Sequence, residues 1–161
     1  MGLSLARRDL FQTRKTNLSA RRHFTLDQAH ALLPEVSSFL AKASEAQAER
    51  QRAKGDLLNY RRRLILSGGV IPNANRMGAF EDQAKLAHQM LSQAVNALEE
   101  MGLEVKDIER GIVDFPTRYR GETVYLCFRA GEDEIRFWHG LEEGFKGRKR
   151  IDDEFLRQHS D

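Results

Sequence analysis

Residues 34–66, PEVSSFLAKASEAQAERQRAKGDLLNYRRRLIL, decide the fold. Within them Val36, Phe39, Ala43, Ala46, Arg50, Ala53, Leu57, Tyr60 and Leu64 recur at alternating steps of three and four, and only Arg50 breaks the apolar character. That period is a helix with one seam, and a seam asks for a partner helix. The partner follows the break Ser67-Gly68-Gly69 and a loop holding Pro72, Asn73 and Asn75. There Met77, Phe80, Ala84, Ala87, Leu91, Ala94, Leu98 and Met101 repeat the pattern. The two stripes predict an antiparallel helical hairpin, coiled-coil-like, with alanines that let the backbones approach closely. Glu81 and Asp82 are expected near the start of its second helix, where they suit the dipole. A helix running from Pro34 to the glycine break is roughly 50 Å long at 1.5 Å per residue, longer than a small domain is wide, so part of the hairpin should protrude. The Ala-, Gln- and charge-rich middle, Ala41 to Asp56, reads as a solvated segment or as a dimerisation surface for a second copy.

Upstream, Thr25 and Gln28 fit a capping box, with Asp27 beside the positive end of the helix dipole. Leu26, Ala29, Leu32 and Leu33 give this first helix an apolar face, and Pro34 is expected to end or kink it and to open the long one. Downstream of Gly102 the period falls to two, the mark of strands. Val105 to Ile108, Ile112 to Phe115, Thr123 to Arg129 and Glu134 to His139 are predicted to form an antiparallel β-meander. Alternation puts Val124, Leu126 and Phe128 on one face and Tyr125, Cys127 and Arg129 on the other; Ile135, Phe137 and His139 share a face opposite Arg136 and Trp138. Asp152 to His159 reads as a short last helix behind an acidic cap. The expected fold class is α+β. A flexible basic arm, 1–22, precedes a single domain, 23–161, made of the hairpin (23–103), the meander with a Gly-rich basic loop (104–151), and a terminal helix or tail (152–161).

Composition bounds the function. The chain has 161 residues, 26 basic and 24 acidic, with 40% hydrophobic residues, 31% charged residues and three prolines. These values exclude collagen-like and wholly disordered chains. No apolar run approaches the roughly 20 residues of a membrane-spanning helix. One cysteine, Cys127, allows no intrachain disulfide and suits a reducing compartment, so a cytoplasmic location is expected. Six bases and one acid fall in residues 1–22, leaving 20 bases and 23 acids for the rest.

Phe24-Thr25-Leu26-Asp27, Ala31-Leu32-Leu33-Pro34-Glu35-Val36, Val105-Lys106-Asp107-Ile108 and Gly111-Ile112-Val113-Asp114-Phe115-Pro116 resemble the bacterial family catalogued as domain of unknown function 2203. Leu126-Cys127-Phe128-Arg129, Gly131-Glu132, Ile135, Phe137-Trp138-His139, Glu142 and Gly144-Phe145-Lys146-Gly147-Arg148 resemble its hallmark stretch. The likeness covers about residues 23–151. It implies a long helical hairpin with a small β element, and no activity, substrate or cofactor.

Candidate sites follow from residue chemistry. His139 with Glu142 and Asp114 could hold a divalent iron, zinc or manganese ion, since nitrogen and oxygen donors suit those metals. The plainer expectation is a histidine bonded to backbone at a strand end, an aspartate capping a turn before Pro116, and solvated glutamates. The same His139 could work as a general acid or base oriented by Glu142. Cys127, flanked by Leu126 and Phe128, reads as an inert strand residue. Walker loops, dinucleotide glycine fingerprints, serine elbows and zinc-protease helices are missing from the sequence. Gly144 and Gly147 with Arg148 form a candidate anion or ligand site, for which Trp138, paired with Tyr125, offers a stacking surface. Residues 7–22 and 146–150, with Arg61-Arg62-Arg63, could meet nucleic-acid phosphates. His30 and His88 are expected on polar helix faces. The leading functional expectation is a self-associating or partner-binding helical module with a ligand pocket near His139, and a metal-dependent enzyme is the alternative.

Overall fold

The computed structural model describes residues 22–69 and 71–160; the basic arm lies outside them except for Arg22. Helix α1 runs Leu26–Leu66. Thr25 caps it as expected: its hydroxyl accepts from the Gln28 N–H at 3.0 Å, and the Gln28 side chain accepts from the Thr25 N–H at 3.2 Å. Two orphan donors of the first turn are thereby satisfied.

The expected break at Pro34 does not occur, and two anticipated helices are one. Pro34 is exposed while Leu33 and Val36 are buried on either side of it. The proline therefore removes one backbone bond on the wet side of the helix, where water can take over, and the buried neighbours hold the register.

Helix α2 runs Ala74–Glu100, capped by Asn73, whose side chain accepts from the Arg76 N–H at 3.1 Å. Because it starts at Ala74, Glu81 and Asp82 lie past its first turn and not at the dipole's positive end. Glu81 instead meets Arg61 across the hairpin at 3.3 Å. The two heptad stripes do face each other. Ala43, Ala46, Ala53, Ala87, Ala94 and Leu98 are buried, Leu57 and Leu91 are half-buried, and the ring of Tyr60 lies tilted against that of Phe80, 6.1 Å between centroids, near the tip. At 41 residues α1 is about 60 Å long. Burial stops at Ala53 in α1 and resumes at Ala87 in α2, so the outer part of the hairpin projects from the core.

The sheet is antiparallel in the order β1 (Glu104–Asp107), β2 (Ile112–Tyr119), β3 (Glu122–Arg129), β4 (Phe137–His139), β5 (Lys149–Arg150). A six-residue helix α3 (Asp153–Gln158) carries the chain to β6 (His159–Ser160), which pairs with the end of β2. The register sets Asp114 opposite Cys127, Phe115 opposite Leu126, and Leu126 opposite Trp138. One face, with Val113, Phe115, Leu126 and Phe128, packs on Phe24, Leu33, Val36, Leu40 and Leu98 to form the core. Beyond the end of β1, Phe24 runs beside β2: its N–H donates to the Pro116 carbonyl at 2.8 Å and its carbonyl accepts from the Thr117 hydroxyl at 2.7 Å. Pro116 is tolerated in β2 because β1 pairing has already stopped at Asp114.

Two sequence expectations about faces are corrected. Strand β4 begins only at Phe137, so alternation does not reach back to Ile135, which joins the core on the helix side. The Ile135 N–H donates to Nε2 of His30 at 3.0 Å, which gives that helical histidine a task in docking the sheet on α1. Trp138 does not pair with Tyr125. It lies on the helix side, 4.8 Å from Tyr119 and 5.0 Å from Phe155 ring to ring, while Tyr125 sits opposite His139.

Candidate metal centre

The second face of the sheet carries Glu104, Asp114, Tyr125, Cys127, Phe137 and His139, placed there by the pairings Glu104 to Asp114, Asp114 to Cys127 and Tyr125 to His139. Three of these are buried donors. A side-chain oxygen of Asp114, Sγ of Cys127 and a ring nitrogen of His139 all lie within 4.8 Å of one another, the group of this kind found among the described residues. They come from three adjacent strands, so the sheet's hydrogen bonds set their spacing.

The imidazole is oriented by a chain of contacts. Nδ1 of His139 lies 2.8 Å from the Gly140 carbonyl, which has no proton to give, so Nδ1–H is the donor. The Gly140 N–H donates to Glu143 at 2.7 Å, and Glu143 is gripped by the Lys149 ammonium at 2.7 and 2.9 Å. Lys149, and then the Gly140 N–H, hold the Glu143 carboxyl below the usual carboxylate value. Gly147 makes this fold of the loop fit, since a Cβ there would stand 2.7 Å from the Cβ of Glu143.

With Nδ1–H committed, Nε2 of a neutral His139 presents a lone pair, and it stands 3.0 Å from Oδ2 of Asp114. Neither carboxylate oxygen of Asp114 receives a hydrogen bond of good geometry among the described residues, although the side chain is only 1% exposed. A buried carboxylate facing a lone pair is repulsive unless a cation lies between them. Burial lowers the His139 pKa, but the Asp114 carboxylate and the Gly140 carbonyl outweigh it and leave the pKa above the ordinary value, so this ring holds a proton more readily than a free imidazole. Burial, followed by the same carboxylate, pushes the Cys127 thiol up to about 12. This thiol is therefore protonated and unreactive at neutral pH unless a stronger electrophile displaces its proton.

Of the residues singled out by sequence, His139 and Asp114 come together and Glu142 does not, being exposed on the loop after β4. Cys127, read as inert, is the third donor; its position opposite Asp114 is a pairing fact that spacing along the chain does not carry. The candidate anion residues are dispersed. Trp138 faces the helices, Gly144 and Gly147 shape the loop around Glu143, and Arg148 pairs with Glu132 at 2.9 Å while lying over the rings of Phe145 and Phe137 at 3.9 and 4.4 Å.

The fold and this site define an α+β protein in which a long helical hairpin carries an antiparallel sheet with a buried Asp–Cys–His cluster. Residues 22–151 match the family model described as "Uncharacterized conserved protein (DUF2203)", and the chain belongs to that family. No curated relative and no solved structure matches the chain. None of the helices described is long and apolar enough to cross a membrane.

Proposed function

We propose that Asp114, Cys127 and His139 bind a divalent transition-metal ion, which makes the sheet a metal-binding module mounted on a helical arm. The observation that carries this reading is the His139 ring, whose Nδ1 is tied to a backbone carbonyl while Nε2 faces a buried Asp114 carboxylate oxygen at 3.0 Å. A backbone-bonded Nδ1 is the outer-shell arrangement that orients a ligating histidine. With bonds of about 2.0 to 2.3 Å, neighbouring donors on a tetrahedral ion stand roughly 3.3 to 3.6 Å apart, so the cluster closes on a metal with shifts of about an ångström. The sulfur favours zinc or iron(II) over manganese.

Elemental analysis after loading with zinc and removal of excess ion tests the reading. Wild-type protein is expected to retain one zinc per chain, and His139→Ala and Cys127→Ser little or none. Equal retention by wild type and both variants, or no retention by wild type, contradicts it.

A second reading concerns the arm. Leu58, Ile65, Leu66 and Ile71 are 68 to 89% exposed on its outer part. Apolar side chains this open favour self-association or a protein partner. Mass measured in solution over a range of concentrations checks self-association, for which a growing oligomer is expected; a strict monomer at the highest concentration counts against it.

A further inference from the structure

Three donors leave a tetrahedral ion one short; Glu104 stands outside that group of three but beside it in the sheet register. Resting on the metal reading above, we infer that Glu104 is the fourth ligand, so that the centre is a closed Asp–Cys–His–Glu site. Glu104 lies on β1 directly opposite Asp114, on the same face of the sheet. Its two oxygens are held by the Tyr125 hydroxyl at 2.6 Å and by the Lys106 ammonium at 2.5 Å. The same ammonium is 3.8 Å from Oδ2 of Asp114. The Lys106 ammonium thus stands between the two carboxylates, and they share one positive partner.

Charge supports the assignment. A divalent ion with the Asp114 and Glu104 carboxylates, the Cys127 thiolate and neutral His139 carries one net negative charge, and Lys106 beside it brings the total to zero. A buried site is least costly when neutral. Binding exchanges the thiol proton of Cys127 for the metal, together with the Nε2 proton of His139 wherever the ring is protonated, and these protons leave to solvent. Tyr125 and Lys106 compete with the metal for Glu104, and so restrain the ligand until the ion arrives.

Cobalt(II) titration of the full chain tests this, because a thiolate ligand produces a near-ultraviolet charge-transfer band and the visible bands report coordination number. Wild type is expected to show both the thiolate band and the intense visible bands of a four-coordinate ion. In Glu104→Gln the thiolate band is expected to persist while the visible bands change, with affinity about tenfold lower or worse, the scale set by losing even outer-shell partners. Tyr125→Phe, which keeps the ring and removes the hydroxyl bonded to Glu104, is expected to bind more tightly. A Glu104→Gln protein with wild-type affinity and spectrum overturns the role of Glu104 while leaving the three-donor site standing. A wild type without the thiolate band overturns both.

Discussion

At the scale of single residues, Cys127 carries the sharpest consequence. A buried thiol pushed up to about 12 should resist alkylation in the folded protein and react at once when the chain is unfolded. Timed labelling with iodoacetamide at mildly alkaline pH checks this, and folded protein reacting as fast as free cysteine would contradict it. Gly111 gives a second test. Its φ is +64°, and an added Cβ would stand 2.5 Å from the Cβ of Ala130, the residue that follows β3. Gly111→Ala should therefore cost about 1 to 3 kcal/mol in denaturant unfolding, as strain and clash add. His139 and Asp114 were legible as chemistry because an imidazole closes one apolar run and a carboxylate interrupts another, between Val113 and Phe115. Cys127 was not, since its membership depends on which residue of β2 it opposes. Nor was Glu142 excluded by sequence, because spacing from His139 says nothing of whether the loop turns inward.

At the scale of elements, periodicity was the readable signal, and it failed where tertiary packing overrode a local rule. The seam from Val36 to Met101 and the Thr25 cap were both plain in the sequence. Pro34 was not, because the damage done by a proline depends on which side of the helix loses its donor, and only the packing of Leu33 and Val36 settles that. The meander was legible as four strands, yet β4 is three residues long: Ile135 leaves the alternation to bond His30 and enter the core. Packing at the seam can be measured. Leu98 is fully buried between the helices and the sheet, whereas Leu86 is 59% exposed. Leu98→Ala is expected to cost about 2 to 5 kcal/mol and Leu86→Ala about 0.5 kcal/mol or less, read from urea midpoints. Equal effects would mean that the helices do not pack as described.

At the scale of the whole molecule, the arrangement joins two parts of different character: a base in which hairpin and sheet share one core, and an arm that extends past it. The arm's reach was legible from helix length, and Leu58, Ile65 and Ile71 stand exposed on it. The cluster on the far face of the sheet ties stability to pH. His139 has a native pKa above its unfolded value, so in metal-free protein its contribution is fully present below about pH 6.5 and is lost as pH rises through the native pKa. Metal loading should reverse that dependence, because Cys127 and His139 must shed protons to ligate, and affinity grows with pH. Thermal melts across neutral pH with and without zinc check both signs. A metal-free protein whose melting temperature rises steadily over that window would contradict the raised pKa of His139. X-ray absorption at the zinc edge of the loaded chain tests the metal site most directly. One sulfur near 2.3 Å together with nitrogen and oxygen donors near 2.0 Å is expected. A shell of oxygen and nitrogen alone, with no sulfur, would contradict it.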